Sequence, residues 1–148
     1  MPRASSASTV IGTKLLLDSE AARNVETITR DLRFYAKACD LARQSNYITA
    51  KKVGCVAAKN TRLLAGAFNT VRNANFNVPF GLSTFHAEMN VLRMLDKPDR
   101  VTLYIARVGS QGELPSRPCK RCMLELEAKG IHEIVYLDRF GKVVKEKI

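Results

Sequence analysis

Apolar and polar positions recur along this chain in changing registers, and each change of register marks an element. Between Ala21 and Ser45, Leu32, Tyr35, Ala36, Cys39 and Ala42 return at three- and four-residue steps, which predicts a long helix with one buried stripe. The runs "KKVGCVAAK" and "RLLAGAF" are short and apolar and are separated by Asn60 and Thr61. They predict an antiparallel hairpin whose second strand ends at Asn69. The asparagine-rich connection "TVRNANFNVPFGL" leads to Ser83 and Thr84, either of which suits the cap of a second helix running to Asp96, with Pro98 as its stop. "VTLYIARV", Val101 to Val108, is dense in β-branched and aromatic residues and predicts a buried strand, followed by the loop "GSQGELPSR". Pro118 suits the first position of a third helix, and Lys129 with Gly130 marks its end. "HEIVYL" is a fourth strand, "DRFGK" a tight turn and "VVKEK" a short fifth strand.

The resulting order, α-β-β-α-β-α-β-β, predicts an α/β domain of three layers: a mixed five-stranded sheet with helices on both faces, the orientation of its last strand left open. At 148 residues the chain has room for one such domain. Residues 1–18 carry Arg3, Lys14 and several small hydroxylated residues, with no acid before Asp18. They are expected to be a flexible segment ahead of a domain over 19–148, and an organellar transit peptide is the alternative reading of the same composition. No apolar run approaches the roughly 18 residues of a spanning helix, so no membrane partner is expected.

Composition narrows the chemistry further. Four cysteines do not make a disulfide framework when Cys119 and Cys122 stand at C-x-x-C spacing and Cys39 and Cys55 lie inside apolar runs. Cys39 and Cys55 read as core, and the usage fits the reducing cytoplasm. A formal charge of +10 favours a phosphorylated or nucleic-acid partner, since each phosphate contacted releases counterions. Surface lysines that serve only solubility would give the same total.

His86 and Glu88 stand two apart in "HAE", at the head of the second predicted helix, while Cys119 and Cys122 head the third. Alone, H-x-E suits a helix cap and C-x-x-C a redox pair. Together they bring one imidazole and two thiolates to neighbouring helix starts, where the helix dipoles favour the thiolate forms. Three N and S ligands are what a catalytic zinc takes, leaving a fourth position for water. Glu88 is too close in sequence to His86 to be a comfortable second ligand, yet is placed to take the water's proton and return it to a leaving nitrogen. That is hydrolytic deamination of a flat heterocycle.

The signature H-x-E with P-C-x-x-C resembles that of the cytidine/deoxycytidylate deaminase superfamily of zinc enzymes. The likeness runs through "FYAKACDLARQS", "KKVGCVAAKNTRLLAGAFN", "HAEMNVLRML" and "RPCKRCMLELEAKGIHEIVYLD", roughly Leu32 to Asp138. It implies a cytidine-deaminase-like fold, with His86, Cys119 and Cys122 as Zn2+ ligands, Glu88 as proton shuttle, Asn69 on the substrate's sugar or base and the backbone N–H of Ala87 on the ring. Homo-oligomers are common in the family and are expected here on that ground. Histidine as first ligand resembles the deoxycytidylate, guanine and tRNA-adenosine deaminases.

Arg117, Lys120 and Arg121 surround the cysteine pair, and Arg72 with Asn73 opens the loop expected to face the pocket. Such a basic rim suits the 5′-phosphate of a cytosine nucleotide or nucleoside substrate (dCMP or CMP), with Arg72 and Arg117 as its contacts. It equally suits a single strand of DNA or RNA, with Phe76 or Phe80 stacking a base. The short loops favour the small molecule and a place in pyrimidine nucleotide metabolism. Guanine deamination, a redox pair and a zinc module without catalysis are the remaining alternatives.

Overall fold

The computed structural model describes residues 19–46, 52–71 and 84–148. They form α1 (Ser19–Arg43), β1 (Lys52–Lys59), β2 (Arg62–Phe68), β3 (Thr70–Val71), β4 (Thr84–Phe85), α2 (Ala87–Met94), β5 (Thr102–Gly109), β6 (Gly112–Leu114), α3 (Lys120–Ala128), β7 (Glu133–Leu137) and β8 (Val143–Lys147). The chain divides into two compact units, 1–30 and 31–148. In the first, the described residues are helical; the second contains every described strand, α2, α3 and the remainder of α1. The expected boundary at residue 18 lies outside the described residues.

One mixed sheet runs in the order β2-β1-β5-β7-β8, with β6 as a sixth strand on β5 and β3 paired separately to β4. Among the described strands, only β5 and β7 are parallel, and the last strand, β8, lies antiparallel to β7. The sixth strand corrects the five expected. Residues read as loop after Val108 instead fold back, pairing Arg107–Gly109 with Gly112–Leu114 around a two-residue turn. Gly112 supports that turn at φ 124°, and three residues are too few for an alternating pattern to announce a strand. The hairpin at Asn60, which takes φ 56°, is as predicted.

Pleating splits the core in two. Cys55, Ala57, Leu103, Ile105, Ile134 and Tyr136 face α2 and α3, while Val56, Ala58, Tyr104, Ala106, Val135 and Leu137 face α1. This is the three-layer arrangement. On the α1 side the buried residues are Phe34, Tyr35, Ala38, Cys39 and Ala42, whereas Leu32 and Ala36 of the predicted stripe are exposed. The stripe is rotated because the helix turns the Phe34 ring onto Tyr104, their centroids 5.2 Å apart. Polar pairs finish that face: Tyr104 Oη donates to Asp31 Oδ1 at 2.7 Å, and Lys145 Nζ lies 2.6 Å from Asp31 Oδ2.

Helix starts differ from the sequence reading in a way that matters for the site. Thr84 belongs to β4, so His86 is the N-cap residue of α2, which ends at Met94 rather than Asp96. Pro118 precedes the N-cap of α3, and that cap is Cys119. Lys129 as C-cap and Gly130 at φ 84° close α3 as expected.

Candidate metal centre

An N-cap residue is half in the helix: its carbonyl joins the ladder while its side chain projects from the entrance. His86 and Cys119 both hold that position, and neither side chain makes a capping hydrogen bond. Their carbonyls accept from Asn90 N at 3.0 Å and Met123 N at 2.9 Å. The imidazole and thiol are thereby available to a ligand. Cys122 sits one turn into α3, buried, with its Sγ 3.3 Å from His86 Nδ1.

The Nδ1 or Nε2 of His86 and the sulfurs of Cys119 and Cys122 lie within 4.8 Å of one another. Tetrahedral zinc with these ligands separates its donors by about 3.6–3.8 Å, from bond lengths of about 2.1 Å to nitrogen and 2.3 Å to sulfur. The cluster is therefore of the right size, and its mixed N and S donors match zinc's preference. Among the described residues it is the group of histidine, cysteine and acidic side chains gathered closely enough to hold a metal ion.

Without a metal ion, burial at the cluster outweighs the helix dipoles and favours the protonated groups. Burial pushes the Cys122 thiol well up, and the neighbouring Glu88 and Cys119 push it further. Burial also raises Glu88, against the lowering effects of a backbone hydrogen bond, His86 and Cys122. Beneath them, burial raises Cys55, with Glu88 and Cys122 adding to it. A dication inverts this balance and favours the thiolates.

Glu88 occupies the first turn of α2 and is 5% exposed. Ala87 is fully buried and begins the helix, so its N–H is among the first-turn donors without an intrahelical carbonyl. Asn90 Nδ2 donates to Phe68 O at 3.0 Å and ties α2 to the end of β2. Asn69 is buried, and its Oδ1 accepts from Val53 N at 2.9 Å and Ser45 Oγ at 2.7 Å. Its oxygen thus holds the end of α1 to the sheet. Arg117 gives its guanidinium to Glu146 of β8, Nε to Oε1 at 3.1 Å and Nη2 to Oε2 at 2.9 Å. Arg72, Asn73, Phe76 and Phe80 lie outside the described residues. Sequence reading missed Cys55 as the floor of the cluster, although strand alternation places it there, and missed Glu146 as the partner of Arg117.

A three-layer α/β fold with this N,S,S cluster at two helix starts defines a zinc-site protein of the cytidine-deaminase-like class. The family model for the cytidine and deoxycytidylate deaminase zinc-binding region matches residues 28–138, and the chain belongs to that family. Its cofactor is zinc. Similar solved structures include the dCMP deaminase of cyanophage S-TIM5 in apo form, 22% identical over 70% of this chain and 79% of that one, with a TM-score of 0.54. Cytidine deaminase from Burkholderia pseudomallei is 18% identical over 78% of this chain and 91% of its own, with a TM-score of 0.59. RibD from Acinetobacter baumannii is 23% identical over 73% of this chain and 28% of that one, with a TM-score of 0.50. These likenesses establish the fold. No curated protein matches this chain in sequence. Among the described residues, no helix is long and apolar enough to cross a membrane.

Proposed function

We propose that the chain is a hydrolase that deaminates a cytosine nucleotide or nucleoside, CMP or dCMP in kind, to the uracil form with release of ammonia. His86, Cys119 and Cys122 hold the zinc, which when bound supplies the Lewis acid that lets water attack at neutral pH. Glu88 accepts the proton that water gives up and delivers it to the exocyclic amine, which leaves as ammonia. The observation that carries this reading is the Glu88 carboxyl group, buried in the first turn of α2 two residues past His86 of the donor cluster. Burial raises the pKa of that carboxyl, which favours its holding the proton between taking it from water and giving it up. The first-turn N–H of Ala87 polarises the ring. Asn69 keeps its substrate role only through groups other than the Oδ1 committed to Val53 and Ser45.

The enzyme works as a homo-oligomer in a reducing compartment, the latter in keeping with free thiols at all four cysteines. Deamination of a base within a single strand is the second reading, favoured by the net charge of +10. The test offers zinc-loaded protein and its Glu88→Ala variant dCMP, CMP, cytidine, guanine and a cytosine-containing oligonucleotide, with products read by mass. The expected result is turnover of a cytosine monomer that falls about 10²–10⁴-fold in Glu88→Ala at unchanged zinc content. Undiminished turnover in Glu88→Ala overturns the role of Glu88, and turnover of the oligonucleotide alone moves the protein to the second reading.

A further inference from the structure

Arg107 lies near the carboxyl end of β5, in register with Val53 of β1 and Leu114 of β6. Alternation along β5 puts its side chain on the face of Leu103 and Ile105, the face that α2 and α3 cover. It stands two residues beyond Ile105, whose cross-strand partner is Cys55, the floor of the metal cluster. Two residues of strand advance about 7 Å, so Arg107 borders the cluster along the sheet. Its neighbour Val53 also receives Asn69, donating to Asn69 Oδ1 and accepting from Asn69 N. Arg107 and Asn69 thus flank one residue beside the cluster.

The Nε of Arg107 is buried and has no hydrogen-bond partner among the described residues. Buried polar groups are nearly always satisfied in native proteins, and an unsatisfied cationic donor is among the more expensive exceptions. Arg117 makes the contrast: its guanidinium is already held twice by Glu146. A guanidinium is a planar fork of donors matched to phosphate oxygens, which suits half-buried Arg107 to an anionic group of a ligand.

We propose that Arg107 binds the 5′-phosphate of a nucleoside monophosphate, making the substrate a nucleotide in preference to the nucleoside, an assignment that rests on the deaminase reading of the adjoining cluster. Calorimetry on the full, zinc-loaded chain carrying Glu88→Ala, which holds substrate without turning it over, compares dCMP with deoxycytidine. Adding Arg107→Gln weakens dCMP about 10–100-fold and leaves deoxycytidine within about twofold. Arg107→Lys, which keeps the charge and loses the fork, gives a smaller selective loss of about three- to tenfold and carries the test should Arg107→Gln not fold. Turnover by the wild-type protein is read separately. If it deaminates neither ligand yet Arg107-dependent dCMP binding persists, the deaminase reading falls and the phosphate site stands. Equal loss for both ligands, no loss for dCMP, no binding of dCMP by the Glu88→Ala protein, or a loss confined to a cytosine-containing oligonucleotide overturns the proposal.

Discussion

Replacing Gly54 by alanine drives a methyl group into the backbone of α1. The added Cβ falls against the Ala38 carbonyl oxygen, 2.5 Å from Ala42 N and 3.1 Å from Ala42 Cα. None of these atoms can rotate aside, so the helix itself must retreat by roughly 1–1.5 Å to restore an ordinary contact of about 3.5 Å. Phe34, Tyr35, Ala38, Cys39 and Ala42 all pack through that approach. A gap of 0.5–1 Å forfeits about a quarter to a half of each dispersion contact, which places the loss near the upper end of overpacking costs, about 3 kcal/mol. For a chain of this size that is a fall in Tm of about 6–12 °C. Gly66→Ala is the matched control, because its Cβ is crowded by the end of the Leu41 side chain, at 2.8 Å from Cδ1, and meets Cys55 O and Val56 Cγ2 at ordinary distances of 3.7 and 3.8 Å. Rotation of Leu41 relieves the clash, and the expected cost is about 1 kcal/mol or less. Urea and thermal unfolding followed by circular dichroism, both with excess zinc, measure the pair. The reasoning is refuted if Gly54→Ala unfolds within about 1 kcal/mol of wild type, or if the two alanine variants lose the same stability. The zinc content of folded Gly54→Ala is expected to be unchanged, since His86, Cys119 and Cys122 belong to the opposite face of the sheet.

Three other measurements bear on the site. Ser116→Ala removes a hydroxyl that donates to Ile105 O at 2.7 Å and accepts from Leu137 N at 3.0 Å; a loss of about 1–3 kcal/mol and a zinc affinity about 10–100-fold weaker are expected in unfolding and metal-competition assays, and unchanged affinity would show that the loop needs no such tether. Arg117 holds Glu146 below the usual carboxylate range through its hydrogen bonds, with Tyr136 assisting, so the stabilisation is full above the unfolded carboxylate pKa and is lost as pH falls through the lowered folded value. The Tm difference between wild type and Arg117→Gln is accordingly expected at pH 7 and should vanish near pH 2; a difference that persists there assigns Arg117 a packing role instead. In metal-free native protein, iodoacetamide should modify exposed Cys119 well before buried Cys39, Cys55 and Cys122, and zinc should suppress the reaction. Equal labelling with and without zinc would remove Cys119 from the ligand set.

Most of the sheet is written locally. β1, β5 and β7 are runs of small, β-branched and aromatic residues between turn signals, and each was legible for that reason. β6 was not, being three residues whose strand character comes from the edge of β5 it completes. The α1 stripe was displaced because the sequence offers two overlapping apolar sets, Leu32 with Ala36 and Phe34 with Ala38, and the sheet selects the second. The metal cluster was legible only from the conjunction of H-x-E and C-x-x-C at two helix starts, since either motif alone has commoner uses. Partners distant in sequence left no local sign: Ser45 is 24 residues from the Asn69 it holds, and Arg117 is 29 from Glu146. A polar residue near a site therefore reads as ligand-binding until its partner is known.

The place where the parallel ladder stops explains why Cys119 is fixed. β5 and β7 pair from Thr102↔Glu133 to Ile105↔Tyr136 and then part, β5 into the β6 hairpin and β7 toward Asp138. Parting strands leave backbone groups that need partners. Ser116 supplies them, its N donating to Leu137 O at 2.9 Å while its hydroxyl bridges Ile105 O and Leu137 N. Three residues later comes the N-cap of α3. The bonds that end the ladder thus also aim Cys119 at Cys122 and His86, while α2 is anchored independently by Asn90 on Phe68 O. Each half of the donor set is tied to a different strand, β5 and β7 on one side and β2 on the other. Because a metal ion requires its donors within a few tenths of an ångström, the rigidity of the sheet between β2 and β7 sets the geometry of the site.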